Sequence, residues 1–230
     1  MKKKFAIFAF FFITSFVFSQ EAKYKIAGKS YNKQIYDENN NQITKFKNWE
    51  NIQSFYISPD NKKMLVYHKP DKAKAYLITL YDLQTNSIIA ECEPGWACFG
   101  IRWTKDYLIY IWATTGGGTR FEYRNYNTLA IEKTIQTYFP FEDEEDNVLI
   151  GASFNYCEND IDFYDFSNGN KLKTINLIKE LEQKGIYTSG TSTSDIKKIG
   201  TKKYECSIIY YLNKEGQEDK EIQMQLEFEL

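Results

Sequence analysis

Three glycines, Gly116, Gly117 and Gly118, stand together in ATTGGGTR at residues 113–120, with Arg120 just behind them. Consecutive glycines let a phosphate or a sugar approach the backbone closely, because no Cβ is in the way. A phosphate loop of the P-loop type carries Gly-Lys-Ser or Gly-Lys-Thr and opens a helix. Here Gly-Thr-Arg opens a strand-like run instead, so the glycines read as a turn between two strands, where positive φ costs glycine nothing. His68 is the only imidazole, so a Ser-His-Asp triad would have to use it. GASFN at residues 151–155 lacks the second glycine of a nucleophile elbow. HExxH, paired CxxC and EF-hand loops do not occur, and the sequence gives no reason to expect a metal or a cofactor. The acidic runs FEDEED at 141–146 and ENDID at 158–162 lack calcium-loop spacing and are expected at turns with solvated carboxylates.

Four cysteines, Cys92, Cys98, Cys157 and Cys206, remain as chemistry. Zinc thiolates come at closer paired spacing than these. An even count in an exported chain points to disulfides, for which four thiols allow three pairings. The favoured one joins Cys92 to Cys98, closing CEPGWAC, and Cys157 to Cys206.

Export is expected from MKKKFAIFAFFFITSFVFSQ, where three lysines precede an apolar run from Phe5 to Phe18 and then Ser19. That order is a secretory signal peptide, residues 1–19, cut after Ser19 with Val17 three places before the cut. The run of 14 residues is too short for the roughly 20 that span a bilayer, which disfavours a retained anchor. The expected mature chain is periplasmic or secreted and has no membrane-spanning segment. It keeps 26 basic against 31 acidic side chains, a net charge near −5, so nucleic acid is not an expected partner. Lys197, Lys198, Lys202 and Lys203 form its one basic cluster, read as a solvated strand edge. Tyr, Phe, Ile and Thr abound, and such side chains suit strands.

The elements repeat. LYDLQTNSII at 80–89 ends a strand at Tyr81-Asp82, turns, and resumes apolar character at Ile88. IYDENNNQITKF at 35–46, YRNYNTLAIE at 123–132, FYDFSNGNKL at 163–172 and YYLNKEGQ at 210–217 follow the same course. Matching Asp37, Asp82, Asn125, Asp165 and Leu212 gives spacings of 45, 43, 40 and 47 residues, the period of a unit of four short strands. Upstream, Met64–Tyr67, Tyr107–Tyr110 and Asn147–Ile150 align as buried strands. The predicted fold is all-β: a single β-propeller-like domain over residues 20–230, an array of about five four-stranded antiparallel repeats. The first repeat lacks its innermost strand, and ring closure is left open.

ISPDNKKMLVY followed by ITLYDLQTNSII resembles a blade of a WD-repeat or related bacterial β-propeller. In that family Ser-Pro-Asp-Gly-Lys precedes the second strand and Trp-Asp or Tyr-Asp closes the third. The resemblance covers residues 52–91 and extends over 96–135; Asn61 replaces the turn glycine, and Trp-Asp and Gly-His pairs are absent. It implies that the loops joining second to third strands, and those joining one blade to the next, emerge on one face. HKPDKAK, CEPGWAC, GGGT and FNYCEND would then meet there, with His68, Trp96 and Arg120. Trp96 offers a flat anchor for a protein or sugar; its plainer reading packs it between blades, and that of His68 ends a strand. Five-bladed sugar hydrolases place facing carboxylates on inner strands, whereas FYIS, FGIR and YFPF carry none.

Two segments depart from the repeat: NLIKELEQKG, and after it the small, polar YTSGTSTSD at 187–195, read as a flexible surface loop. NLIKELEQKG at 176–185 predicts a short helix with Asn176 as cap, Leu177, Ile178 and Leu181 on one face, and Gly185 as terminator. EIQMQLEFEL at the end alternates strictly and predicts a strand with one buried face. The function expected is a non-enzymatic binding module for an envelope or secreted protein. The alternative is a carbohydrate-binding or carbohydrate-active envelope protein, with Trp96, Trp103 and Trp112 as stacking candidates.

Overall fold

A computed structural model describes residues 23–29, 32–46, 51–70, 75–93, 98–153, 160–188, 190–212 and 220–230. The described residues are all-β apart from one short helix, and the chain divides into two compact units, Met1–Ile88 and Ile89–Leu230.

In the first unit, β1 (Tyr24–Lys29) and β2 (Asn32–Asp37) form an antiparallel hairpin, and Tyr36 bridges to Gln42 beyond it. Strands β3 (Asn51–Ile57), β4 (Lys63–Lys69) and β5 (Leu77–Asp82) continue as a meander, completed by β6 (Ser87–Cys92). These are the four strands anticipated as FYIS, MLVY, YLITLYD and SIIAE. Ile35, Ile52, Ile57, Met64, Val66 and Tyr81 bury together as this unit's core.

The second unit holds β7 (Cys98–Trp103), β8 (Leu108–Ala113), β9 (Thr119–Arg124), β10 (Ile131–Asp143), β11 (Val148–Ser153), β12 (Asp160–Asp165) and β13 (Lys171–Asn176) in one seven-stranded sheet, in that order. Helix α1 (Leu177–Gln183) leads to a three-stranded sheet of β14 (Thr191–Gly200), β15 (Lys203–Leu212) and β16 (Lys220–Glu229). Its core joins both sheets: Phe163 on β12 meets Tyr204 on β15 and Phe228 on β16, with ring centroids 6.1 and 6.3 Å apart.

β10 makes one sheet out of two meanders. Its first half, Ile131–Thr137, pairs with β9, and its second, Thr137–Asp143, pairs with β11. The repeat predicts a connecting loop there. Instead one strand of 13 residues serves as fourth of one meander and first of the next, with a bulge between Tyr138 and Phe141. Pro140 sits in that bulge, where its missing N–H costs the ladder nothing.

The repeat shows itself in the turns from third to fourth strands. Asp37 accepts the amides of Asn39 and Asn41 at 2.9 and 2.7 Å, and Asp82 those of Gln84 and Thr85 at 2.8 and 3.0 Å. Asn125 takes Asn127 and Thr128 at 2.8 and 3.2 Å, and Asp165 takes Ser167 and Asn168 at 2.9 and 3.2 Å. Each such side chain mimics a turn of backbone and stops the strand. The fifth match, Leu212, likewise ends a strand, β15, which pairs antiparallel with β16, but without such a side-chain stop. Leucine has no oxygen with which to make this stop.

Helix α1 follows its sequence signals. Asn176 Oδ1 accepts the Lys179 amide at 3.0 Å, Gly185 takes φ 75°, and the Ile186 amide closes onto the Leu181 carbonyl at 2.9 Å. Leu177 and Leu181 are buried. Along β16, Ile222, Met224, Leu226 and Phe228 turn inward between exposed Glu221, Gln223, Gln225 and Glu227, as the alternation requires.

In the basic cluster Lys197, Lys202 and Lys203 are exposed as expected, whereas Lys198 is drawn into an ion-pair network. Lys198 Nζ lies 3.0 Å from Asp143, 2.9 Å from Glu145 and 2.8 Å from Asp146. The Tyr204 hydroxyl donates to Asp143 at 3.0 Å, and the Lys202 amide to Asp146 at 2.8 Å. The carboxylates expected in solvent at FEDEED therefore tie the β10–β11 turn to the β14–β15 turn. Asp162, from the other acidic run, is buried as well and accepts from Lys171 and Thr174 at 2.8 and 2.5 Å.

Candidate interaction face

The glycine run closes the β8–β9 hairpin. Ala113 pairs with Thr119, the Thr114 amide donates to the Gly118 carbonyl at 2.9 Å, and the Gly117 amide donates to the Thr114 carbonyl at 3.2 Å. Gly117 supplies the positive φ, 81°, and a Cβ there would meet nothing within 4 Å. The turn is thus open on its outer side.

Behind it, β9 carries a charged array. Glu122 is buried and lies between the guanidinium groups of Arg120 and Arg124, with Arg124 Nε donating at 2.9 Å. Arg124 also lies 4.7 Å over the Tyr110 ring and donates to the Leu129 carbonyl at 2.8 Å. Pairing a buried carboxylate with two guanidinium groups offsets its desolvation, so Arg120 has a structural anchor as well as a half-exposed side chain.

Three polar atoms around this turn are buried with no hydrogen-bond partner among the described residues: Trp112 Nε1, Thr114 Oγ1 and Arg120 Nε. Trp112 and Arg120 face each other directly across β8 and β9. Orphaned donors and acceptors are uncommon in native interiors and call for an explanation.

At the same end of the sheet, the β10 bulge presents Phe139, 52% exposed and at φ 48°. A bulky side chain in left-handed conformation is strained, and such strain gathers at functional sites. In the same unit, Tyr211 on β15 and the 74%-exposed Tyr187 before β14 are exposed as well. The Thr188 hydroxyl holds these two segments together, donating to the Tyr211 carbonyl at 2.8 Å.

The residues expected on the face are distributed unevenly. Gly116, Gly117, Gly118 and Arg120 are there. His68 is inside: it is buried, with Nε2 at 2.7 Å from Thr79 Oγ1 and its ring stacked on Phe46 at 4.2 Å. Trp96 and Cys157 lie outside the described residues. Trp112 is buried and Trp103 half-buried, which leaves neither as an exposed stacking platform. Cys92, Cys98 and Cys206 are free thiols, so the expected Cys92–Cys98 bridge is not formed. Cys98 donates to the Gly100 carbonyl at 3.4 Å, Cys92 accepts from Arg124 at 3.7 Å, and burial pushes both thiols up. Cys206 is packed in the core, where burial pushes it up to about 12. Phe139, Tyr187 and Tyr211 escaped the sequence reading; Pro140 was the available signal, since proline within a strand marks a bulge.

No helix of the described residues is long and apolar enough to cross a membrane. No protein-family model and no curated protein matches the chain. Solved structures of low similarity include a prolyl endopeptidase, 14% identical with a TM-score of 0.45, covering 83% of this chain and 32% of that one. A eukaryotic initiation factor is 12% identical with a TM-score of 0.43, covering 88% and 48%. Hsv2 of Kluyveromyces lactis is 12% identical with a TM-score of 0.39, covering 84% and 59%. This chain thus spans about half the initiation factor and a third of the endopeptidase.

Proposed function

We propose that this chain is an exported, non-enzymatic binding module whose successive meanders are about five blades of a propeller-like array. It holds a protein partner on the end of the sheets that carries the β8–β9 turn. The observation that carries this reading is the cluster of buried, unpartnered polar atoms Trp112 Nε1, Thr114 Oγ1 and Arg120 Nε around an open glycine turn. Exposed Phe139 at the same end of the sheet supplies an aromatic anchor of the kind that dominates protein interfaces. Gly116 to Gly118 let a partner's backbone approach. In this reading residues 1–19 are removed after Ser19 and the chain works in the periplasm or outside the cell.

Phe139→Ser tests it. Capture of envelope or secreted proteins is expected to fall on the order of 10-fold or more, as for an interface anchor. Ile131→Ser, at the other end of the same strand and also exposed, is the control and keeps capture unchanged. Recovery of the same proteins by all three chains would refute the placement, and glycan-array binding lost with Phe139→Ser would assign the face to sugars. Amino-terminal sequencing of exported protein should begin at Gln20.

A further inference from the structure

The three-stranded sheet has one covered edge and one that no described strand covers. β14 is held against β10 and β11 through Lys198, Asp143 and Asp146. β16 pairs with β15 along its whole length, from Lys203 opposite Glu229 to Leu212 opposite Lys220, and among the described residues nothing pairs with its far side. Backbone donors and acceptors along such an edge are a template for another strand. A cleft of about 660 Å³ opens beside it, bounded by Lys173 and Ile175 of β13, Lys179 of α1, and Glu227 and Glu229 of β16. Lys173 Nζ reaches the Glu229 carbonyl at 2.7 Å.

Charge on the outward face identifies what fits. Across the sheet, Lys197 on β14 pairs with Glu205 on β15 at 2.7 Å, and Glu205 stands directly opposite Glu227 on β16. Like charges opposite each other in a ladder are destabilising, so the next place in this row favours a cation. Glu221 and Glu229 stand on the same face, six residues before and two after Glu227, with Gln223 and Gln225 between; Lys203 lies 3.7 Å from Glu229, and Lys173 and Lys179 line the cleft beside it. On the inward face Ile222, Met224, Leu226 and Phe228 ask the next strand for apolar residues. Side chains alternate faces with period two, which makes the complement a strand alternating basic with apolar residues.

We propose that the free edge of β16 binds an extended segment of a partner protein in which lysine or arginine alternates with apolar residues. The segment adds to the sheet as a fourth strand and fills the cleft beside β13. Main-chain hydrogen bonds give it affinity and the glutamate row gives it register. The site is separate from the face that carries Phe139 and does not depend on it.

The test uses the full chain and a labelled nine-residue peptide alternating lysine and valine, followed by fluorescence anisotropy. Binding is expected, with slowed amide exchange along β16. A Glu221→Lys/Glu227→Lys double variant should bind at least 10-fold more weakly; both glutamates are exposed, so circular dichroism should show an unchanged fold. Methylating alternate peptide nitrogens should abolish binding in one phase and spare it in the other. Three results would overturn the proposal: equal binding of a glutamate–valine peptide, full binding by both methylated peptides, or protection in the free protein of those β16 amides that point away from β15.

Discussion

The two ends of the meanders are built differently. Where a third strand turns into a fourth, a side-chain oxygen stops the backbone: Asp165 alone accepts two amides, the Ser167 hydroxyl at 2.6 Å and the Asn147 amide group at 3.0 Å. At the other end the β8–β9 turn is closed by backbone bonds, β10 runs through on a bulge, and Trp112, Thr114 and Arg120 keep buried polar atoms without described partners. Repetition resides at the end where a side-chain oxygen makes each turn. The end that is free of it can present different groups on each meander, which is what a binding face requires.

The sharpest way to break this contrast is a matched pair of glycine substitutions. Gly169 takes φ 67°, and a Cβ there would lie 2.9 Å from the buried Tyr123 ring. Left-handed backbone costs a non-glycine residue about 1–2 kcal/mol, and forcing the ring aside adds about 1–3. Gly117 has the left-handed φ but open space. Urea unfolding should therefore show Gly169→Ala losing about 2–5 kcal/mol and Gly117→Ala only about 1–2. Equal losses would mean that the stopped turns are no tighter than the open one.

Removing a stop comes next. Asp165→Ala strips four hydrogen bonds at once and should cost about 1–2 kcal/mol, in the range of a lost cap. Burial pushes the Asp165 carboxyl up, but donors from Ser167, Asn147 and Asn168 together hold it below its ordinary 3.8. Asn41 lowers Asp37, and the Thr85 and Gln84 amides lower Asp82, in the same direction. A carboxyl lowered on folding adds stability that is complete above 3.8 and is lost as pH falls through the folded value. The urea midpoint should hold steady at neutral pH and drop below about pH 4. Asp165→Asn should lessen that drop, and an unchanged acid profile would show that the stops do not couple to stability.

How much was legible follows from range along the chain. Asp37, Asp82, Asn125 and Asp165 act on amides two to four residues away, so their spacing exposed the repeat. Asn176 and Gly185 marked α1 for the same reason, and the alternation of β16 gave its buried face. Leu212 ends its strand without such a stop, because leucine has no side-chain oxygen, and there the repeat was readable only from the apolar run and the polar residues after it. Lys198 meets Asp143 and Asp146 across more than 50 residues, and nothing near either run announces the other. His68 is interior because Thr79 and Phe46 come to it from neighbouring strands and loop. The continuity of β10 was hidden because the repeat calls for a connecting loop between its meanders, and Pro140 is accommodated there in a bulge.

The smallest expected effect has the opposite sign and bears most directly on the binding face. Phe139 holds φ 48° with half its side chain in solvent, so it pays strain while burying little. Glycine at that position would relieve the left-handed conformation and forfeit little apolar contact. Phe139→Gly should therefore raise stability by about 0.5–1 kcal/mol, within the usual cost of such a conformation offset by glycine's greater unfolded freedom. The same variant should lose partner capture, the trade of stability against function expected where a strained residue is kept for its surface. If Phe139→Gly instead destabilises the sheet, the ring is supporting the bulge from within, and the aromatic anchor for a partner would have to be sought in Tyr187 and Tyr211.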